Sequence, residues 1–256
     1  MEFITSNKFD TTSGLSVNSA TLTADNIFTR DLTFQYISEG FNDDTLTSTL
    51  VYDFGSTITV SRLALMGHNI KAYNMYYDGV TANAFSFTAT SSTITSQFIS
   101  NSETSQFFKC STVSCQTISF DLKSTQVANS EKAVGFFYAG DSKLDFERTP
   151  SSKNYTPNYK QKQIVHTLSD GGVRLQHIAE KFDSKIKFSY ITESFRTSLR
   201  SVFNEKTEFF FLPFGTSTGW DEIFHEVNWV GNFDFYKYSD NAQNSGFSGS
   251  ILLKET

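Results

Sequence analysis

Apolar and polar side chains alternate along most of this chain with a period of two residues, which is typical of β-strands. The pattern is clear in TSTLVYDFGS, TITVSRLALMG, SQFFKCSTV and CQTISFDLKS, and Ser, Thr, Asn and Gly separate such stretches. Many short strands joined by turns of this composition are typical of β-sandwiches and jelly rolls. We therefore predict that residues 1–140 form a jelly-roll β-sandwich without a long helix.

The pattern weakens over residues 141–163, where RTPSSKNYTPNYKQKQ is polar and holds two of the three prolines. Such composition is typical of an extended connection. We predict a linker or strap here. The sequence leaves open whether its Tyr and Lys side chains dock on a neighbour or lie in solvent.

Residues 164–256 predict a smaller β-sandwich or barrel that carries one α-helix. The segment ESFRTSLRSVFNEK has apolar residues at helical spacing, and Thr192 is placed to cap the first turn. We predict a helix over about 192–206, whose apolar stripe comprises Phe195, Leu199, Val202 and Phe203. The fold class is therefore mainly β in both domains.

The net charge of −6 and the pI of about 5.2 argue against a broad nucleic-acid-binding surface, which requires a basic face. No apolar run reaches the length of a membrane helix, so we expect no membrane insertion. The start MEFITSNKF lacks the features of a secretion signal, which predicts assembly in a reducing cytoplasm. Cys110 and Cys115 are then expected as free thiols, although a disulfide across a short hairpin remains an alternative.

Motifs for catalysis are absent from the sequence: it contains no HExxH, GxSxG, Walker or GxGxxG pattern. The acidic pairs Asp43-Asp44 and Asp221-Glu222 are the candidates for glycoside hydrolysis. Exposed acidic turns are the default explanation for both pairs. We expect a protein that is not an enzyme and that uses no cofactor.

The stretch LALMGHNIKAYNMYYDG places Gly67, His68 and Asn69 at the end of an apolar strand. Glycine permits a sharp turn, and the His and Asn side chains can satisfy backbone groups that a broken strand leaves without partners. We interpret these three residues as a structural corner. A ligand site is the alternative.

The segment LVYDFGSTITVSRLALMGHNIKAYNMYYDG resembles the central part of galactose-binding-like, discoidin-type jelly rolls, over roughly residues 20 to 140. The version with His-Asn after the apolar strand resembles domains of tailed-bacteriophage virion proteins. Upstream, NIFTRDLTFQYISEGFNDDTLTSTL corresponds to a family loop but lacks its tryptophan. The resemblance implies a candidate calcium site through Asp31 or Asp43.

The order of elements in the second domain resembles tail-tube-like or distal-tail-like domains of siphophage minor tail proteins. It implies that Trp229, Phe233 and Phe235 are core or seam residues. Our leading hypothesis is a non-enzymatic structural component of a phage virion, in the tail, baseplate or tail tip, assembled in the bacterial cytoplasm. The chain would form a homo-oligomeric ring and would also contact other virion proteins. Its 27 Phe would supply apolar interfaces.

The alternative hypothesis is a carbohydrate-binding module that attaches its carrier to a cell surface. It requires an aromatic platform with polar side chains nearby. The sequence offers one such loop group, which comprises Tyr36, Phe41, Asp43 and Asp44.

Overall fold

The computed structural model divides the chain into two compact units. The first unit spans residues 7–142, and the second combines residues 1–6, 143–213 and 225–255. Both consist mainly of antiparallel β-strands, which confirms the predicted fold class. The structure describes residues 1–9, 14–19, 23–29, 32–79, 83–88, 93–95, 97–98, 100, 102–148, 150, 153–167, 172–213, 225–237 and 246–255.

The described residues contain a 3₁₀ helix at Ala24–Phe28, one α-helix, α1, at Glu193–Glu205, and the strands that follow in chain order. The strands are β1 (Glu2–Ile4), β2 (Leu15–Val17), β3 (Tyr36–Ile37), β4 (Ser48–Met66), β5 (Ile70–Tyr77), β6 (Ser86–Thr88), β7 (Thr93–Thr95), β8 (Gln97–Phe98), β9 (Ser105–Thr125), β10 (Ala133–Val134), β11 (Phe136–Gly140), β12 (Ser142–Asp145), β13 (Tyr155–Thr167), β14 (Val173–Ile191), β15 (Phe209–Leu212), β16 (His225–Val230), β17 (Phe235–Lys237) and β18 (Phe247–Glu255).

The first unit is built on a sheet with the strand order β11-β4-β9-β5-β8, to which β2 adds at β4 and β6 at β9. A separate small sheet pairs β3 with β10. Side chains that alternate along the large sheet point into one apolar core, as expected for a jelly-roll sandwich. The core includes Leu50, Tyr52, Tyr73, Phe120 and Phe137.

The strands of the first unit are longer than the sequence predicts. TSTLVYDFGS and TITVSRLALMG, which a turn at Gly55-Ser56 would separate, form the single strand β4. Its register against β9 shifts between Asp53 and Ile58, and Gly55 has a φ of +70°. The glycine therefore supports an irregularity within a continuous strand instead of a chain reversal.

The second unit is an eight-stranded antiparallel sheet with the order β12-β1-β15-β16-β18-β14-β13, and β17 pairs with β18. Helix α1 packs on one face of this sheet through Phe195, Leu199 and Val202. The Oγ1 of Thr192 accepts a hydrogen bond from the amide of Phe195 at 3.1 Å and caps the helix. Phe203, the fourth residue of the predicted stripe, is half-buried.

The predicted linker over 141–163 is not a linker in the structure, because most of it lies in β12 and β13. β13 is an edge strand that pairs only with β14 within the described residues, and nearly all its side chains are exposed. An exposed edge strand shows no apolar alternation and tolerates proline, here Pro157. The sequence pattern therefore could not distinguish it from a loop.

Candidate functional site

The corner after β4 is fixed by backbone and side-chain hydrogen bonds. Gly67 has a φ of +61°, a conformation that favours glycine. The Nδ2 of Asn69 donates to the carbonyl of Glu131 at 2.8 Å, and its Oδ1 accepts from the amide of Ala133 at 2.9 Å. The nitrogen and the oxygen of the Asn69 side-chain amide therefore both connect the corner to the segment that leads into β10.

His68 is buried inside the corner, with 2% of its surface exposed. Its amide donates to the carbonyl of Thr104 at 2.8 Å, and its Nδ1 accepts from the amide of Ile70 at 3.1 Å. Burial lowers the pKa of His68 to about 4, an effect that hydrogen bonds with Gln106 and Ile70 only partly oppose. The imidazole is therefore neutral near neutral pH and inaccessible to a ligand in this conformation.

The neighbouring loop, Ser38–Leu46, is organised around Lys132, which is fully buried. The ammonium of Lys132 donates to the carbonyl oxygens of Phe41 at 2.7 Å and Asp43 at 3.2 Å. The backbone of Lys132 also exchanges hydrogen bonds with Ser38 at the start of the loop. One lysine thus holds the start and the middle of this loop.

Lys132 places a positive charge near the two acidic residues of the loop. Burial lowers the pKa of Lys132, and the carboxylates of Asp44 and Asp43 oppose this effect. Among the described residues no group of three His, Cys, Asp or Glu side chains is arranged to hold a metal ion. The predicted metal role of Asp43 therefore finds no support, and Asp31 lies outside the described residues.

The two acidic residues of the loop have different surroundings. The Oδ1 of Asp44 accepts hydrogen bonds from the amide of Thr125 at 3.0 Å and from its hydroxyl at 3.1 Å. Burial alone would raise the pKa of Asp44, but these hydrogen bonds and one from Asn129 lower it. Asp43 is exposed, and the amide of Thr45 lowers its pKa through a bond of 2.8 Å to Oδ1. Asp44 therefore fastens the loop, whereas Asp43 faces solvent.

Tyr36 is not part of a ligand platform, which corrects the predicted loop group. Its side chain is fully buried, and its hydroxyl shares hydrogen bonds with the hydroxyls of Ser19 at 2.8 Å and Ser48 at 3.0 Å. The predicted group is reduced to two accessible members, the half-buried Phe41 and the exposed Asp43.

The corner and the loop meet at the segment between β9 and β10. The amide of Gln126 donates to the carbonyl of Asn69 at 2.8 Å, while Thr125, Asn129 and Lys132 of the same segment hold the loop. These residues belong to none of the motifs in the sequence. The one signal for Lys132 is a charge directly before the apolar run AVGFFYAG.

The predicted core or seam residues of the second domain form an aromatic cluster at the edge of its core. The ring centroids of Trp229 and Phe233 lie 5.8 Å apart, and those of Phe233 and Phe235 lie 4.8 Å apart. Phe235 is buried, while Trp229 and Phe233 are half-buried. The guanidinium of Arg196 lies over the rings of Phe247 at 4.6 Å and Phe233 at 5.7 Å, a favourable cation–π geometry.

Cys110 and Cys115 are both buried free thiols on the same extended strand, β9. The hairpin disulfide considered for them is therefore not formed. Burial raises the pKa of Cys110 to about 12 and that of Cys115 to about 11. Because the thiolate is the reactive form, neither cysteine is placed to act as a nucleophile.

Other expectations for this chain concern catalysis and membranes. Asp43 accepts a hydrogen bond from the amide of Thr45, Asp44 accepts from the amide and hydroxyl of Thr125, and Asp221-Glu222 lies outside the described residues. In the described part of the chain, no helix is long and apolar enough to cross a membrane.

Comparison with known proteins finds solved structures that share little sequence with this chain. No family model and no curated protein matches the chain. Among solved structures, it is similar to chitosan-binding module 1 of a chitosanase/glucanase from Paenibacillus sp. IK-5, with 12% identity and a TM-score of 0.39 over 52% of this chain and 97% of that chain. It is also similar to the family 32 carbohydrate-binding module of NanJ from C. perfringens in complex with galactose, with 12% identity and a TM-score of 0.36 over 50% and 92% of the two chains.

By their descriptions, these structural neighbours are carbohydrate-binding modules. At such identities and TM-scores the likeness carries no conclusion about a ligand. The matches give no support to the predicted phage-tail resemblance of either domain. The strands and their order in the sheets make the chain a mainly-β protein whose first unit is a jelly-roll sandwich.

Proposed function

We propose that this chain is a non-catalytic carbohydrate-binding protein whose first unit contacts sugars through the Ser38–Leu46 loop. The observation that carries the proposal is the accessibility of the half-buried Phe41 and the exposed Asp43 on a loop whose backbone Lys132 holds. A half-buried ring and an exposed carboxylate offer a sugar an apolar face and a hydrogen-bond acceptor.

Preorganisation of the loop favours binding. The carbonyls of Phe41 and Asp43 are held by the Lys132 ammonium, and Asp44 is held by Thr125. A ligand that binds a fixed loop does not have to order it, so less of the interaction energy is lost on binding. The exposed Asn42, between the two proposed contact residues, adds an amide donor.

A panel of neutral sugars that includes galactose and fully N-acetylated chitotriose tests this site by isothermal titration calorimetry. We expect Phe41→Ala and Asp43→Asn each to weaken binding of the recognised sugar about tenfold or more, since each removes one direct contact. Asp53→Asn is the matched control. Asp53 is also exposed, and its Oδ1 also accepts an amide two residues along the chain, from Gly55 at 2.8 Å.

Binding that is equally weakened by Asp53→Asn would place the site elsewhere on the unit. Failure of the unchanged chain to bind any member of the panel would contradict the proposal. Thermal unfolding of the variants establishes that any loss of binding does not come from loss of the fold.

A second candidate function is assembly of many copies into a structural component of a phage virion, and β13 and β14 favour it. β18 pairs with β14 only over Asp183–Ile191, so the remaining part of β14 forms a two-stranded ribbon with β13. Val165 and Leu175 are directly opposite each other and are 59% and 57% exposed. Ribbons of two strands are marginally stable alone, so the partner we propose for this apolar face is a second copy of the chain.

Light scattering after size exclusion at several concentrations tests assembly. We expect the mass of the unchanged chain to rise with concentration, and Val165→Asp with Leu175→Asp to return it to the monomer mass, because charge on the apolar face opposes its burial. Gln176→Asp adds charge to the opposite face of the same ribbon and should leave assembly intact. A monomer at every concentration would contradict this second function.

A further inference from the structure

The outer face of the second-unit sheet is basic, although the chain as a whole is acidic. Along β14, Phe182, Ser184, Ile186 and Phe188 are buried, whereas the alternating positions are exposed. Those positions include Lys181, Lys185 and Lys187. The period of two therefore places the lysines together on the solvent face.

A cavity of about 390 Å³ opens on this face. Four lysines from three neighbouring strands line it: Lys160 and Lys162 from β13, Lys181 from β14 and Lys254 from β18. The pairing of β13 with β14 shifts register directly after Lys162. Such bulges bend a strand, which gives a concave surface where a regular sheet would be flatter.

The cavity has an excess of positive charge. Among the described residues, its lining comprises two acidic residues, Asp183 and Glu255, and four lysines. Asp183 forms an ion pair with Lys160, and the Oε2 of Glu255 accepts a hydrogen bond from the amide of Phe182 at 2.7 Å. Two more cations than anions therefore surround the cavity.

One strand pairing at the cavity is unfavourable unless an anion is present. Lys160 lies directly opposite Lys181 in the register of β13 and β14. Like charges in such a cross-strand pair destabilise a sheet. The ion pair of Lys160 with Asp183 offsets part of this repulsion, and a bound anionic group between these strands would offset more of it.

We propose that this lysine cavity binds the carboxylate or phosphate groups of an acidic polysaccharide. The inference rests on the proposed function, because it extends sugar recognition from the first unit to a charged part of the same class of ligand. Lysine ammonium groups are point charges with three donors each, and they suit anionic groups that repeat along a flexible polymer.

The chemistry of the cavity favours a polysaccharide over a nucleic acid. Proteins that hold single-stranded nucleic acids combine positive charge with exposed rings on which bases stack. Phe182 is the one aromatic residue that lines this cavity, and it is 1% exposed. A charged sugar polymer needs the ammonium groups alone.

Titration of the full chain with polygalacturonate, at an ionic strength of about 50 mM where surface charges are weakly screened, tests the proposal. We expect the double variant Lys162→Gln/Lys181→Gln to bind about tenfold or more weakly, because two charge-assisted contacts are lost. Lys185→Gln/Lys187→Gln is the matched control, since it removes the same charge from the same face outside the cavity. The control should bind within about threefold of the unchanged chain.

Equal losses in the two double variants would overturn the proposal in favour of diffuse charge attraction. Absence of binding by the unchanged chain would overturn it as well, and so would tighter binding of an oligothymidylate than of polygalacturonate. Without ligand, Lys181→Gln should raise the melting temperature slightly, because it relieves the repulsion with Lys160. A lower melting temperature of the Lys181→Gln variant would contradict the repulsion between Lys160 and Lys181.

Separate variants distinguish this inference from the proposed function. Phe41→Ala should weaken binding of neutral sugars and leave polygalacturonate binding unchanged. If the lysine variants lose polygalacturonate binding and the unchanged chain binds no neutral sugar, the loop proposal fails and the cavity proposal stands. If neutral sugars bind at the loop and polygalacturonate does not bind, the cavity proposal fails alone.

Discussion

Replacing Lys132 with methionine is expected to lower the free energy of unfolding of the first unit by about 2–4 kcal/mol. The ammonium of Lys132 is the hydrogen-bond donor for the carbonyls of Phe41 and Asp43. Methionine fills a similar volume but leaves these two acceptors, together with the Asp44 carboxylate, without the cation. The hydrogen bonds of Lys132 with the carbonyls of Phe41 and Asp43 hold the proposed sugar-binding loop. We therefore expect the affinity for sugar to fall together with the free energy of unfolding.

Urea unfolding followed by circular dichroism measures the change. Lys71→Met is the matched control, because Lys71 is exposed on β5 and its replacement should cost less than about 1 kcal/mol. If the two variants are equally stable, Lys132 does not organise the loop. Restored stability in Lys132→Arg, which keeps the charge, would indicate that the cation matters more than the shape of the side chain.

Acidification is expected to destabilise the first unit through His68. The pKa of His68 is about 4 in the folded protein and near 6.5 in an unfolded chain, because burial disfavours the imidazolium. The unfolded state therefore binds the proton first. The contribution of His68 is complete above about pH 6.5 and is lost as the pH falls towards 4, at a cost of about 2–3 kcal/mol between about pH 7 and about pH 4.5.

His68→Gln should remove this part of the pH dependence, since glutamine does not titrate. The measurement is the free energy of unfolding of both proteins across that pH range, with a direct NMR titration of the histidine signal. His166→Gln, at an exposed position on the ribbon, should follow the unchanged chain. Parallel pH profiles for His68→Gln and the unchanged chain would show that the corner does not depend on a neutral imidazole.

The two proposed binding surfaces differ in how they recognise a ligand. The loop offers one ring and one carboxylate on a rigid support, which suits a neutral sugar and little dependence on salt. The lysine cavity offers charge, and its affinity should fall as ionic strength rises, because screening weakens exposed charges. Salt dependence therefore assigns any observed glycan binding to one of the two surfaces.

Local patterns in the sequence were sufficient for the elements whose signals lie within a few residues. The alternation of apolar residues predicted the mainly-β fold. The spacing of Phe195, Leu199 and Val202 behind Thr192 predicted α1. Both depend on the geometry of one strand or one helix, which neighbouring residues specify.

Only the tertiary structure decided the composition of the candidate sites. Tyr36 lies in a polar stretch, yet it is buried because β10 and the hydroxyls of Ser19 and Ser48 surround it. Lys132 lies 91 residues from Phe41 in the sequence, so no local pattern connects the two. The lysine cavity likewise gathers residues from β13, β14 and β18. Register between distant strands places these side chains together, and composition and periodicity do not specify that register.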